Sequence, residues 1–189
     1  MTTPTPNPTS EPAIPIPVPP TTPAEIDHID THLLFPAFTA ATAWALGTTL
    51  RNKLLAYPKP CVIDITLAQN SHCLFHATTH SGTTPDNDRW VARKRAAVLR
   101  WGVSSYSLGR KFEGDEGLFA AKFMLGQGAG EYAIHGGGWP VRVRGVEGVV
   151  AVVVVSGLSQ EMDHGVIVQT VGEMLEEMGV EGGEKRKED

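Results

Sequence analysis

The stretch GVVAVVVVSGLS, residues 148–159, decides the fold. Its seven unbroken apolar residues, Val149 to Val155, show no alternation of apolar and polar side chains. A strand of that kind must be covered on both faces. Valine is β-branched and favours the pleated backbone. The run is far too short to span a bilayer, which takes about 20 residues. Gly157 breaks it, Ser159 offers an N-cap for a last helix, and Gly179 stops that helix.

Working outward, Pro140 to Arg144 reads as a strand with one wet face, because Val141 and Val143 alternate with Arg142 and Arg144. Tyr132 to His135 reads as a further strand on the other side of Gly136-Gly137-Gly138. Cys61 to Leu67 and His72 to Thr79 form a hairpin about Gln69-Asn70-Ser71. Phe38 to Ala56 carries Leu46, Leu50 and Leu54 at helical spacing and ends at Tyr57-Pro58-Lys59-Pro60. Thr84 and Pro85 open a second helix that runs to about Val103. Glu116 to Leu125 is a short third one. The order α-β-β-α-(α)-β-β-β-α predicts an α+β domain, a profilin-like antiparallel five-stranded sheet with packed helices.

The 189 residues are 41% apolar and 20% charged, which suits one globular unit without disulfide or metal staples. Residues 1–23 hold nine of the fourteen prolines and six threonines, and read as a disordered tail. The folded unit is expected over 24–179, with a charged flexible tail over 180–189. A net charge of −5 argues against nucleic acid as partner. No segment reads as a secretory signal or a membrane span. Cys61 and Cys73 lack CxxC spacing, which fits reduced thiols and a cytoplasmic location.

The helix from Pro85 is the most informative element for chemistry. Trp90, Val91, Ala97, Val98 and Trp101 share an arc, and Lys94 falls in its middle. Seven cations and two carboxylates lie between Pro85 and Lys111, so a basic helix sits in an acidic chain. Arginine forks suit carboxylate or phosphate, and the competing reading is a solvated face. His72, His76 and His80 repeat every four residues, but on a strand that spacing puts them about 13 Å apart, too far for one ion. Gly126-x-Gly128-x-Gly130 opens no βα unit, and reads as a flexible loop. Ser156 and His164 could pair, although Asp163-His164 at a helix start fits capping better. Gly136-Gly137-Gly138 permits close backbone approach by a ligand or another chain, or is a plain turn.

A composite string then stands out. It runs Ala43-Trp44-x-Leu46-Gly47, Asp64-Ile65, Leu74-Phe75, Asp86-Asn87-x-x-Trp90-Val91-x-Arg93-Lys94 and Ser104-Ser105, and closes with Gly136-Gly137-Gly138-Trp139-Pro140 and Ser156-Gly157-Leu158-x-x-x-x-Asp163-His164. Over about residues 33–175 it resembles the haem-degrading-domain superfamily, HbpS-like and GlcG-like, in the branch shared by fungi and bacteria. The resemblance implies a profilin-like fold, a dimer-based homo-oligomer, and a small anionic ligand or haem as the bound group. It shows no axial haem ligand or iron motif; Glu173-x-x-Glu176 reads as an exposed pair, and no cofactor is certain. The positions carried over as a binding pocket are Trp90, Arg93, Lys94, Ser104, Ser105, Gly136, Gly137, Gly138, Asp163 and His164. Three functions follow from this reading. They are a non-catalytic binding protein, an assembly adaptor that takes a protein partner, and, as the alternative, a haem-degrading or small-acid-processing enzyme.

Overall fold

The structure, a computed structural model, describes residues 15–180. Its elements are α1 (Pro23–His32), β1 (Leu34–Phe35), α2 (Ala40–Leu54), β2 (Val62–Leu67), β3 (Cys73–Thr78), α3 (Pro85–Trp101), α4 (Ser105–Lys111), α5 (Glu116–Lys122), a 3-10 turn (Gly126–Glu131), β4 (Gly138–Val143), β5 (Ala151–Ser156) and α6 (Gln160–Glu177). The strands form one five-stranded sheet in the order β1-β4-β5-β2-β3.

β5 sits in the middle of that sheet, paired antiparallel with β2 on one side and β4 on the other. All six of its residues are buried. Val153 and Val155 face the core shared with α2 and α6, while Val152 and Val154 face Val91 and Val98 of α3. Burying a valine is worth roughly 1.5–3 kcal/mol over leaving it exposed. One uniform strand therefore fastens a helical layer to each face of the sheet.

The sheet is mixed, not wholly antiparallel. Its fifth strand is the two-residue β1, which runs parallel to β4. Tyr132 to His135 is not a strand. It leaves the 3-10 turn and bonds to α3, where Ala133 N donates to the Arg93 carbonyl at 3.2 Å. The apolar residues Ala133 and Ile134 are buried by that helix contact instead of by a ladder.

α1, which holds His28 and His32, is a helix ahead of the one predicted from Phe38. Its buried Asp30 accepts from Ser104 N at 2.9 Å and Asp27 accepts from the Ser107 hydroxyl, so α1 is fastened to the start of α4. Residues 15–22, expected in the loose tail, lie along the body, with Ile16 packed on the main core and the Thr21 carbonyl accepting from Arg110 Nε at 3.1 Å. Residues 1–14 and 181–189, also read as tails, lie outside the described residues; Val180 packs on the core.

α2 crosses the sheet at close range. A Cβ on Gly47 would sit 2.4 Å from the Phe75 ring, so this helix–strand contact needs glycine. α3 begins with a reciprocal Thr84–Asn87 capping box and ends at Gly102 with φ 71°. Its buried stripe is Val91, Lys94, Ala97 and Val98. A lysine thus occupies a core position, carried to the end of β5.

Candidate functional site

Lys94 is only 3% exposed. Its Nζ donates to the Val155 carbonyl at 3.0 Å and to Asp163 Oδ2 at 3.1 Å. Asp163, in the first turn of α6, also accepts from Leu158 N at 2.9 Å on Oδ1 and from Gly157 N at 3.3 Å on Oδ2. The carboxylate therefore caps the bend between β5 and α6 while holding the lysine. Burial draws the Lys94 amine below its ordinary range and pushes the Asp163 carboxyl above its own. Their mutual attraction opposes both shifts.

The pair lies at the floor of a cleft of about 210 Å³ lined by Trp90, His135, Gly136, Ser156, Leu158 and Gln160. Trp90 forms one wall, meets the His135 ring edge-on at 5.0 Å and donates from Nε1 to Asp86 Oδ2 at 3.2 Å. His135 Nδ1 faces Glu116 Oε1 at 3.5 Å.

The glycine turn makes the floor. Gly137 has φ 111°, and a Cβ there would come 2.3 Å from the Val155 carbonyl and 2.8 Å from Lys94 Nζ. Glycine is the residue that leaves the amine its space. Ser105 ties the turn down, donating from Oγ to the His135 carbonyl at 2.6 Å and accepting from Gly138 N at 2.9 Å.

The ten expected pocket residues divide. Trp90, Lys94, Gly136 and Asp163 line the cleft. Ser105, Gly137 and Gly138 support it from behind. Ser104 is a helix cap, accepting from Ser107 N at 3.1 Å. His164 points away and stacks on Tyr106 at 4.6 Å, with both ring nitrogens buried and unbonded. Burial alone lowers its pKa to about 3, so it is neutral. It neither lines the cleft nor bonds Ser156.

Arg93 does not line the cleft. Its guanidinium stacks 4.6 Å from the indole, donates to the Tyr132 carbonyl at 3.0 Å, and borders a separate groove of about 760 Å³ with Arg89, Gly130 and Glu131. Of the cations on α3, Arg93, Lys94, Arg95 and Arg100 have partners within the fold, and Arg89 is exposed. Arg95 is bound to Asp64 at 3.0 Å, Arg100 to the Tyr132 hydroxyl at 2.8 Å, and Arg93 meets Glu116 at 3.4 Å.

His135, Ser156, Leu158 and Gln160 complete the cleft without having been singled out as its walls. Gln160 stands one helical turn before Asp163, a spacing that could have marked it once Asp163 was chosen. His72, His76 and His80 take separate places. His72 is exposed, His76 bonds Asp64 at 3.1 Å, and His80 bonds the Tyr57 carbonyl at 2.9 Å. Among the described residues, no group of three or more His, Cys, Asp or Glu side chains could hold a metal ion.

Comparison with known proteins shows what the chain is similar to. The family described as haem-degrading protein HbpS-like matches residues 38–172. A UPF0303 protein of Streptomyces coelicolor is 42% identical over 154 residues, which cover 82% of this chain and 94% of that one. A UPF0303 protein of Sinorhizobium medicae is 43% identical over 143 residues, covering 76% and 84%. Among solved structures, the Ybr137w protein superposes with a TM-score of 0.76 at 35% identity, covering 83% of this chain and 89% of that one. A double mutant of HbpS from Streptomyces reticuli, at 16% identity and a TM-score of 0.55 over 73% of this chain and 86% of that one, shares the fold.

Proposed function

The chain belongs to the HbpS-like family, and from that premise we propose that it is an oligomeric binding protein for a small carboxylate, held in the cleft between Trp90 and Lys94. The observation that carries this reading is a core lysine brought to the floor of a cleft with an indole wall. Lys94, His135, Gln160 and Ser156 bring polar groups to a lining that is otherwise mostly apolar, which is how small-molecule sites are built.

Haem does not fit the residues present. The cleft with an available imidazole, His135, encloses about 210 Å³, below the roughly 300–1,000 Å³ of sites for drug-sized ligands. The larger groove beyond Trp90 has arginines for propionates but is lined by Asp86, Arg89, Trp90, Ala92, Arg93, Ala96, Gly130 and Glu131, with no axial donor. Room and ligand fall in two separate cavities that share Trp90. The size and lining of these two cavities therefore favour a small acid over haem.

Assembly is the second part of the proposal. β3 is the sheet's outer strand, and beside it Trp44 is 64% exposed, edge-on to Phe75 at 5.9 Å. An apolar ring beside an unpaired strand suits a second copy of the chain. Among the described residues, no helix is long and apolar enough to cross a membrane.

Isothermal titration of the full chain with pyruvate and with L-lactate tests the binding reading. Saturable binding that weakens in Lys94→Met, with the fold retained by circular dichroism, is expected. Heats no larger than dilution for both acids would refute it.

A further inference from the structure

We propose that Lys94 holds a small 2-oxo acid covalently, as an imine on its side-chain nitrogen. This rests on the reading of the cleft as a carboxylate site and adds the bond that would form there.

The geometry of Nζ supports it. Two acceptors, the Val155 carbonyl and Asp163 Oδ2, stand at 3.0 and 3.1 Å. They take two of the three hydrogens of an ammonium, and the third points in the remaining tetrahedral direction, where the open space beside Lys94 is the cleft. Once a proton is lost, the two hydrogens left keep these partners and the lone pair takes that direction. Burial favours the neutral amine, the form that adds to a carbonyl. Gly137 keeps the nitrogen approachable, since a Cβ there would stand 2.8 Å from it. Asp163 is in direct contact with Nζ and is anchored by two backbone N–H groups, so it can carry protons without moving.

The step balances with those two groups alone. The Lys94 ammonium passes a proton to the Asp163 carboxylate. The freed amine adds to the ketone carbon, and the carbonyl π pair moves to oxygen, which takes that proton from Asp163. Nitrogen then sheds a second proton to Asp163, giving the neutral carbinolamine. Asp163 returns this proton to the hydroxyl, the C–O bond breaks, and water leaves as the nitrogen pair closes the C=N bond. The product is an iminium beside the Asp163 carboxylate. No oxidant or reductant is consumed. The size of the cleft limits the acid to a few carbons, and the Gln160 amide and His135 ring at its walls suit the carboxylate.

Reductive trapping decides the matter. The full chain is incubated with pyruvate and sodium cyanoborohydride, then digested and mapped by mass spectrometry. One reduced adduct on Lys94, absent from Lys94→Arg and suppressed by L-lactate, is the expected result. An adduct spread evenly over surface lysines, or none on Lys94 at saturating pyruvate, overturns the imine. Saturable binding of both acids without an adduct overturns the imine alone and leaves the carboxylate site standing. Absence of binding and of adduct removes both.

Discussion

Lys94 Nζ stands 3.1 Å from Asp163 Oδ2, and this one contact joins the middle of α3 to the first turn of α6 across the end of β5. Both side chains are 4% exposed. A buried charge left without its partner costs about 3–5 kcal/mol, whereas replacing both partners by apolar groups is often neutral. Lys94→Met should therefore lower unfolding free energy by about 3 kcal/mol or more. Asp163→Leu should cost at least as much, because it also releases the Gly157 and Leu158 N–H groups. The double variant should be more stable than the sum of the two losses predicts. Urea titration of all four proteins measures the coupling, and additive losses would show that the pair does not act as one unit.

Arg93 and Lys94 are neighbours in sequence with opposite fates. Arg93 stacks on Trp90 without lining the cleft and spends its donors on Tyr132 and Glu116. Arg93→Ala should leave pyruvate affinity within about threefold, the scale of a weak exposed charge effect. Lys94→Met should cost about tenfold or more, the scale of a hydrogen bond to a charged group. Calorimetry on the two variants checks the contrast, and equal losses would place the ligand in the groove beyond Trp90.

Two buried titrating groups pull stability in opposite directions with pH. His164 has its folded pKa lowered from 6.5 to about 3, so the folded state takes up its proton late. Its contribution is intact above pH 6.5 and is lost as pH falls toward 3, by about 1.4 kcal/mol per unit. Asp30 has its folded pKa raised from 3.8 to about 6 by burial, against the bond from Ser104 N. Its contribution is present below 3.8 and is lost as pH rises through 6. The two slopes oppose each other between about pH 4 and 6. Relative to the native chain, His164→Phe should gain stability steadily as pH drops below 6.5. Asp30→Asn should show its largest advantage above pH 6 and lose it toward pH 4. Thermal unfolding at half-unit pH steps reads both, and parallel curves for all three proteins would contradict the assignment.

The central strand was legible because Val149 to Val155 needs no partner information to be read as covered on both faces. The helix carrying Lys94 was legible for a similar reason, since Thr84-Pro85 marks its start and the apolar arc marks its buried side. β1 was not, because two residues, Leu34 and Phe35, carry no period, and their pairing with Arg142 and Val143 is a tertiary fact. Tyr132 to His135 stands beside the glycine turn as a hairpin strand would, yet its Ala133 N–H bonds to α3 and not to the sheet. The grouping of Trp90 with Arg93 and Lys94 placed three residues of one short stretch together. A helix turns by 100° per residue, so Arg93 and Lys94 leave it in different directions, Lys94 to the cleft and Arg93 to the neighbouring groove. His135 was hidden by distance in sequence, because it reaches Trp90 only through the glycine turn that Ser105 fixes.

The assembly reading turns on Trp44. Of the large apolar side chains left in solvent, Met124 at 92% and Leu118 at 56% stand about the short α5, while Trp44 at 64% lies against Phe75 of the outer strand. Scattered exposed apolar residues are ordinary, but an indole beside an unpaired strand edge offers both apolar area and free backbone groups to another chain. The full chain should therefore elute at a multiple of 20.3 kDa by light scattering at micromolar concentration. Trp44→Glu would place a charge in that contact and should shift the mass toward the single chain, with pyruvate affinity unchanged because the cleft is built within one chain. Met124→Glu should leave the mass as it is. A native chain of 20.3 kDa, or a Trp44→Glu variant with the native mass, would move the interface elsewhere or remove it.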